Sequence, residues 1–358
     1  HMVQITKEDG SVKAVSATYI LLTTGSRPRK PANIKVVEQT IVTSDGLRNF
    51  TEFPKSMVVL GAGFIGCEFA TIFSGFGTTK VSLIDKADRI LPFEDEDIAD
   101  VIKHNLEASN ARLHQGVSLK RMEIVKGKVD YELEYKEGKI EVLTVDKALI
   151  SIGRVANVEN IGLENAGVKL NSRGGIWDDD TQTNISNIFV AGDVTTEVAL
   201  VKVGEREACH SVLRMFGPTV KPLTYQNISS IMFLNPEVAA VGMNKQECVA
   251  KGIAHKVVKL NYTTNSLAIA MRKTTGFFKI IVTNDNGMRI LGMRVVCEHA
   301  SSAIQAVGYL IHTNQGIREL ADMMHPHPSI IEGVQECLRM LLHKSIYKPY
   351  VFKDRLKF

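Results

Sequence analysis

The 358-residue sequence predicts an α/β fold with a second, separate α+β domain at its C-terminal end. Two observations support this prediction. A short β-rich run at 57–60 leads into a glycine-rich turn at 61–66 and then into an apolar helix, which is the pattern of a β-turn-α-β unit. After residue 221, strands and helices alternate to the end of the chain, which is typical of an α+β domain.

Composition places the chain among ordinary globular proteins. Hydrophobic residues make up 44% of it, and its 43 basic residues nearly balance 39 acidic ones, for a formal net charge of +4. No basic stripe indicates nucleic acid, and no apolar run approaches the roughly 18 to 20 residues of a membrane span. We therefore expect neither nucleic acid nor a membrane among its partners.

Cysteine spacing argues against a metal site and against a local disulfide. The cysteines are Cys67, Cys209, Cys248, Cys297 and Cys337. None forms a CxxC or CxxxxC pair or a cluster with histidines. We expect reduced and mostly buried thiols and no metal.

The first 54 residues predict a hairpin followed by a connector. Residues 3–5 and 17–22 alternate apolar and polar side chains around the turn at 8–10, which favours two paired strands. From 28 to 54 the periodicity is irregular and turn signals recur, so we expect a connecting segment.

The elements expected after the connector follow from periodicity and turn signals. They are strands 57–60, 80–84 and 147–152, helices 67–76 and 95–109, a meander at 117–145, a strand within 183–193, a helix reaching 216, strands 229–233, 238–241, 255–260, 276–282 and 290–296, and helices 244–251, 299–313 and 329–343.

The glycine-rich turn carries the strongest chemical signal. Gly61 suits the tight turn, Gly63 allows close approach of a pyrophosphate to the backbone, and Gly66 allows close packing of helix and strand. The phosphate would lie on the helix N-terminus. Because the motif follows a strand and opens a helix, it predicts dinucleotide binding.

Asp85 closes the next strand and indicates which dinucleotide. A carboxylate there accepts hydrogen bonds from the adenosine ribose and repels a 2′-phosphate, so NAD is favoured over NADP. Lys86 and Arg89 could soften that discrimination, although the simpler interpretation is that both are solvated surface charges.

Two further motifs could carry chemistry. The run 183–193 ends in Ala-Gly-Asp, and Asp193 at the strand end could accept hydrogen bonds from a flavin ribityl or phosphate-linked hydroxyl; the alternative is a helix cap. Near the end, His327 could relay a proton while Glu332 fixes its tautomer. Pro326 and Pro328 stiffen the backbone there, and the alternative is a structural histidine.

Together these residues resemble the class I pyridine nucleotide-disulfide oxidoreductase family. Residues 23–28, including Gly25, resemble its ATGxxP stretch, and 61–68 its GxGxxGxE. Residues 151–154, including Gly153, resemble its return to the FAD domain. Gly192 and Asp193 close a run that resembles its second flavin motif.

The resemblance implies a Rossmann-like NAD-binding domain inserted in a partial FAD-binding domain, plus an interface domain that forms a homodimer. The boundaries expected are 1–52 and 154–221 for the FAD-binding part, 53–153 for the NAD-binding domain and 222–358 for the interface domain. It also implies a location in the cytoplasm, or in a mitochondrial or plastid matrix.

The resemblance assigns roles to three side chains. His327 and Glu332 match the HPxxxE pattern, in which the histidine is the acid-base catalyst at the partner subunit's disulfide and the glutamate orients it. Glu68 matches a glutamate beside the nicotinamide and flavin rings; its alternative is a helix-surface charge.

Asp85 and His327 together favour the branch that oxidises dihydrolipoamide with NAD through FAD. Its partner would be the lipoyl-bearing acyltransferase of a 2-oxo acid dehydrogenase complex, or a glycine cleavage protein. Other disulfide reductases, such as the glutathione and mercuric types, usually take NADPH, and transhydrogenases or NADH oxidases tend to lack the histidine. A non-enzymatic alternative is an NAD-binding, dimerising fragment.

The chain departs from the family pattern at its start. A family member begins with its own glycine fingerprint for FAD and a CxxxxC redox pair, and neither is in this sequence. We therefore expect that the chain alone binds NAD weakly or unproductively, holds no tight FAD and has no lipoamide activity.

Overall fold

The computed structural model describes residues 2–347 and the backbone of 356–357. Its strands in chain order are β1 Met2–Thr6, β2 Val12–Ser16, β3 Ile20–Leu22, β4 Ser26–Pro28, β5 Ile41–Val42, β6 Ser56–Leu60, β7 Lys80–Ile84, β8 Arg112–His114, β9 Ser118–Val125, β10 Lys128–Glu134, β11 Ile140–Val145, β12 Lys147–Ile150, β13 Arg154–Ala156, β14 Ile188–Val190, β15 Ser229–Met232, β16 Val238–Gly242, β17 His255–Asn261, β18 Phe277–Thr283, β19 Ile290–Val296 and β20 Leu356–Lys357. The α-helices are α1 Phe64–Gly75, α2 Glu96–Ala108, α3 Leu163–Ala166, α4 Val201–Phe216, α5 Lys245–Ala250, α6 Ser266–Met271, α7 Ser301–His312, α8 Arg318–Asp322 and α9 Ile331–Leu341.

The chain folds into two compact units. The first unit comprises His1–Arg29 and Arg154–Thr224, and the second unit comprises Lys30–Gly153 and Tyr225–Phe358. Among the described residues, no helix combines the length and the apolarity needed to cross a membrane.

A five-stranded parallel sheet organises the N-terminal half of the second unit. Its strand order is β5-β12-β6-β7-β8. The central strand β6 is a continuous apolar run whose Met57, Val58 and Val59 are fully buried, as expected for a parallel strand covered on both faces. Parallel strands end at the same edge, so the turns after β6, β7 and β12 meet there.

Helix α1 follows the central strand directly. Gly63 is its N-cap residue, and its buried side chains Cys67, Ala70, Phe73 and Ser74 recur at helical spacing. Of these, Cys67, Ala70 and Phe73 pack on one face of the parallel sheet.

An antiparallel meander of β9, β10 and β11 provides a second apolar layer. Alternate residues of β10 point inward, so Val129, Tyr131 and Leu133 are buried. They form one cluster with Val58 and Ala148 of the parallel sheet.

The C-terminal half of the second unit is a six-stranded sheet with order β15-β16-β19-β18-β17-β20, and each pairing is antiparallel. Helices α7 and α9 pack against this sheet. Val238 and Phe277 belong to the same buried cluster as Met57 and Leu149. The two halves of the second unit therefore share a core.

The first unit is built from short pairings. Strands β1 and β2 form an antiparallel hairpin, β3 pairs with β14 in parallel, and β4 pairs with β13 antiparallel. Its core is small and includes Ile176, Val190 and Val194. The residues of the hairpin are exposed throughout.

Two expectations for the N-terminal region are wrong. The hairpin partner of β1 is Val12–Ser16, whereas Ile20–Leu22 pairs with β14. Both segments are short and mostly apolar, so the local pattern could not decide between pairing partners. The connector is also structured, because β5 within it is a fully buried edge strand of the parallel sheet.

Candidate functional site

The turn between β6 and α1 leaves no space for side chains on its inner side. Gly61 has a φ of +101°, and a Cβ there would lie 2.6 Å from the Ser151 carbonyl oxygen. A Cβ on Gly66 would overlap the carbonyl oxygen of Gly61. By contrast, a Cβ on Gly63 would meet only the Phe93 ring, at 3.8 Å. The first turn of α1 leaves backbone N–H groups unpaired beside it.

A cavity of about 800 Å³ opens at this edge of the parallel sheet. Gly61, Gly63, Asp85 and Gly153 line it, together with Val117 from the loop before β9. Gly153 has a φ of +102°, which favours glycine, and it ends the turn after β12. The volume falls in the range of small-molecule sites, and the location is the one that ligands take in open α/β sheets.

Asp85 lines this cavity and also holds the turn. One carboxylate oxygen accepts the Ala62 N–H at 2.6 Å, and the other accepts the Ala87 N–H at 2.8 Å. A carboxylate has about four acceptor sites, so it can still receive hydroxyl donors from a ligand. This arrangement fits the ribose of a dinucleotide.

The two cations that follow Asp85 differ in their surroundings. Lys86 is exposed and lines the cavity. Arg89 is half-buried and donates to the backbone oxygens of Leu91, Pro92 and Glu94. The interpretation of Arg89 as a solvated surface charge is therefore wrong, because it fixes the segment that follows β7.

Glu68 lies on α1 and is not part of the cavity lining. It is half-buried, and its carboxylate accepts the Phe233 N–H at 2.9 Å. The glutamate therefore has a specific backbone donor and is more than a surface charge.

The neighbouring Cys67 is chemically inert. Its thiol donates to the Ala62 carbonyl at 3.4 Å. Burial, with the charges of Asp85 and Glu68 adding to it, raises the pKa of Cys67 to about 12. Because the thiolate is the nucleophile, this cysteine cannot act as one near neutral pH. All five cysteines are free, and Cys209 is exposed whereas the other four are buried.

His327 and Glu332 form a hydrogen-bonded pair at the start of α9. The Nδ1 atom of His327 lies 2.8 Å from Oε1 of Glu332, and Oε2 of Glu332 accepts the Ser329 N–H at 2.7 Å. The histidine side chain is 68% exposed, while that of Glu332 is 20% exposed. A glutamate held by the backbone thus orients an exposed imidazole through its Nδ1 atom. In contrast, Nε2 of His325 lies 3.2 Å from the Leu320 carbonyl oxygen.

The predicted flavin residues come together within the first unit. The Ser26 hydroxyl donates to Asp193 at 2.6 Å, and Nε of Arg154 donates to that hydroxyl at 2.7 Å. Gly25 has a φ of +71°, and its carbonyl accepts the Asn157 N–H. Asp193 does not cap α4, because the N-cap residue of that helix is Leu200.

Sequence reasoning missed the residue that holds the Ala-Gly-Asp turn. Glu207 on α4 is 3% exposed, and its carboxylate accepts the Gly192 N–H at 2.7 Å. Helix α4 also approaches this turn closely, since a Cβ on Gly204 would lie 3.1 Å from the Gly192 Cα. Gly204 and Glu207, three residues apart on α4, are the sequence signal that could have predicted this contact with the turn.

A parallel sheet with a glycine turn, an acidic residue after the next strand and a cavity between them define a dinucleotide-binding protein of the α/β class. The comparisons with known proteins give the family. The family model described as pyridine nucleotide-disulphide oxidoreductase matches residues 1–208, and the model for its dimerisation domain matches 228–338. The chain belongs to this family, whose members use FAD and NAD(P). The dimerisation-domain match supports a homodimer.

Proteins similar to this chain include a dehydrogenase, a transhydrogenase and a disulfide reductase. A dihydrolipoyl dehydrogenase of Chlamydia muridarum is 32% identical over 97% of this chain and 73% of its own length. A soluble pyridine nucleotide transhydrogenase of Pseudomonas aeruginosa is 30% identical over 88% of this chain and 66% of its own. The structure of an HOCl-induced flavoprotein disulfide reductase from Escherichia coli, solved as a Cu(II) complex, has a TM-score of 0.86 and 27% identity over 95% of this chain and 76% of that one.

Proposed function

We propose that this chain belongs to an NAD-dependent flavoprotein that oxidises dihydrolipoamide. The observation that carries the proposal is the His327–Glu332 pair, in which a backbone-held carboxylate orients an exposed imidazole. A dithiol substrate must lose protons as it is oxidised, and such a histidine is suited to take them. The dihydrolipoyl dehydrogenase among the relatives supports the same substrate.

The cavity of the second unit would hold NAD. Gly61 and Gly63 would present backbone to the pyrophosphate, and Gly66 allows α1 to start close to β6. Asp85 would accept the ribose hydroxyls, and Gly153 completes the far wall. Glu68 is not among the lining residues, and it would lie beside the nicotinamide, as the corresponding glutamate of the family does.

The first unit would contribute to the FAD site. Gly25, Gly192 and Asp193 would contact the flavin nucleotide, with Ser26 and Glu207 fixing their geometry. When bound, FAD and NAD supply the electron and hydride transfer.

His327 would exchange protons with the substrate dithiol through Nε2. Its Nδ1 proton is donated to Glu332, so the neutral imidazole is held in the tautomer that leaves Nε2 free to accept. In the homodimer this pair would serve the partner subunit's disulfide. The partner protein would be a lipoyl-bearing acyltransferase of a 2-oxo acid dehydrogenase complex or a glycine cleavage protein.

Binding of reduced nicotinamide dinucleotides tests the NAD site directly. Titration of the full chain, followed by NADH fluorescence, is expected to show binding of NADH in preference to NADPH. Asp85→Asn removes the charge but keeps an acceptor, so the preference for NADH should shrink. A wild-type chain that binds neither dinucleotide would contradict the proposed site.

The role of Glu332 is visible without turnover. In the wild-type chain, nitrogen NMR of the imidazoles should show His327 protonated at Nδ1. In Glu332→Gln the preference for that tautomer should decrease, because an amide oxygen is a weaker acceptor than a carboxylate. Equal tautomer populations in both proteins would remove the argument for an oriented base.

The chain alone is expected to be inactive toward dihydrolipoamide. None of its five cysteines forms a CxxxxC pair, so it offers no such disulfide for thiol exchange. The test is an assay of dihydrolipoamide-dependent NADH formation with added FAD, alongside the visible spectrum of the purified protein. Turnover, or stoichiometric flavin, would overturn this expectation.

A second candidate function is hydride exchange between NADH and NADP, as the name of the Pseudomonas aeruginosa relative suggests for that protein. Lys86 at the cavity, beside Asp85, could tolerate a 2′-phosphate. Comparable affinities for NADH and NADPH in the titration above would favour this candidate. A strong preference for NADH would favour the dithiol reaction.

A further inference from the structure

Residues 91–95, here called the wall segment, contribute Pro92 and Phe93 to the lining of the cavity and contact the glycine turn directly. The Leu91 N–H donates to the Ala62 carbonyl at 2.9 Å. The Phe93 ring lies 4.2 Å from that of Phe64, measured between centroids, and also faces Gly63. The position of the wall segment therefore sets the width of the cavity above the turn.

The opposite side of the wall segment is held by the C-terminal half of the second unit. The Asn244 side chain donates to the Phe93 carbonyl at 2.8 Å. Nε of Arg294, on β19, donates to both carboxylate oxygens of Glu94, at 2.9 and 3.2 Å. Glu94 and Arg294 are each 5% exposed.

Arg294 is itself fixed rigidly. One terminal nitrogen of its guanidinium donates to the backbone oxygens of Val241, Gly242 and Met293. Beyond Glu94, Asp95 accepts the N–H groups of Lys245 and Gln246 and the ammonium of Lys279. The wall segment is thus anchored to β16, β18, β19 and the start of α5.

These contacts determine position more than they stabilise the fold. For a buried ion pair, the cost of removing both charges from water offsets most of the attraction between them. Arginine makes directional hydrogen bonds in a planar fork, so the pair restricts where Glu94 can lie. Because Phe93 precedes Glu94, restricting one restricts the other.

We propose that Arg294 and Asn244 are positioning residues for NAD. They hold the wall segment against the glycine turn, and the C-terminal domain thereby sets the affinity of the cavity for NAD. Among the residues that the structure describes, none from that domain lines the cavity. The inference rests on the proposed NAD site. It adds that dinucleotide binding and the C-terminal domain are energetically coupled.

The test compares NADH affinities of full-length variants. Arg294→Met keeps an unbranched apolar stem but lacks the guanidinium and its donors, and it is expected to weaken NADH binding roughly tenfold. Asn244→Ser retains a side chain that can cap α5 but cannot reach the Phe93 carbonyl, and it should weaken binding to a smaller extent. Amide hydrogen exchange should become faster at Leu91 in both variants and at few sites elsewhere.

Lys259→Met is the matched control. Lys259 bridges the same two halves of the second unit through Asp97, on α2, at 3.0 Å, and not through the wall segment. Its NADH affinity should equal that of the wild type even if the melting temperature falls. Wild-type affinity in folded Asn244→Ser and Arg294→Met, or equal weakening in all three variants, would overturn the inference while leaving the NAD site intact. Absence of NADH binding by the wild type would instead refute the site itself.

Discussion

The cavity beside the glycine turn and the His327–Glu332 pair are built in opposite ways. The cavity is shaped by main chain, since Gly61 and Gly66 leave no space for a Cβ. The pair depends on one hydrogen bond between side chains, on a histidine that is 68% exposed. A site made by backbone is therefore disrupted by adding atoms, whereas a site made by side chains is disrupted by removing them.

The largest loss of NADH affinity should come from adding one methyl group to the glycine turn. In Gly66→Ala the new Cβ overlaps the Gly61 carbonyl, so β6 and α1 must separate. Overpacking of this kind costs roughly 1–3 kcal/mol. If the displacement is absorbed by the turn, NADH affinity should fall by about 10- to 100-fold, measured by fluorescence titration.

Gly75→Ala is the control on the same helix. A Cβ there has no neighbouring atom within 4 Å. Affinity should not change, and stability should rise by up to about 1 kcal/mol, because alanine has the higher helix propensity. Unchanged NADH binding in Gly66→Ala would show that the turn does not set the shape of the site.

A smaller effect, on the free energy of unfolding, is expected at the Gly192 turn, which a side chain holds. Glu207→Gln keeps the shape but replaces a charged acceptor of the Gly192 N–H with a neutral one. Urea unfolding should show a loss of roughly 1–3 kcal/mol, the range for a compromised buried hydrogen bond to a charged group.

Glu205→Gln, on the exposed side of the same helix, removes only a surface ion pair with Lys202 and should leave the unfolding midpoint unchanged. Equal urea midpoints for the wild type and Glu207→Gln would mean that the charge of Glu207 does not hold the Gly192 turn. That turn would then depend on backbone alone, as the turn at Gly61 does.

The smallest effect on stability concerns a second histidine, His114, which is half-buried whereas His327 is exposed. Nδ1 of His114 lies 2.7 Å from the Tyr135 hydroxyl, which donates to Glu141 at 3.0 Å. Burial lowers the pKa of His114 below its ordinary value of 6.5; Glu141 opposes this shift and Arg112 adds to it.

Because His114 is held neutral in the fold, its contribution to stability is complete above pH 6.5 and is lost as the pH falls below that value. His114→Gln keeps a donor for Tyr135 but cannot titrate. The free energy of unfolding, measured above and below pH 6.5, should therefore fall less in the variant than in the wild type. Parallel pH profiles would show that His114 is not the titrating group.

Much of the site was predictable because its signals are local. Gly61, Gly63 and Gly66 lie within six residues, and Asp85 ends the next strand, so one β-turn-α-β unit contains the whole pattern. Strands of the C-terminal sheet could be located without a motif, because β16, β18 and β19 are mostly apolar runs. The structure confirms the fold class, and the family match confirms the resemblance.

What sequence reasoning missed depends on contacts between distant residues. Arg294 and Glu94 are 200 positions apart, and nothing near either residue indicates the other. Strand β5 has two residues and was assigned to a connector, because its burial comes from pairing with β12 rather than from its own periodicity. The short helices α6 and α8 were missed because five or six residues show little periodicity.

Asp85 has a consequence for any attempt to redesign the coenzyme preference. Replacing an acidic residue at this position with a small one is an obvious route to accepting a 2′-phosphate. Here the same carboxylate accepts the N–H groups of Ala62 and Ala87, so its removal would also leave these two backbone donors without their acceptor. A redesigned protein would need a new acceptor for the Ala62 N–H before it could gain from the lost charge.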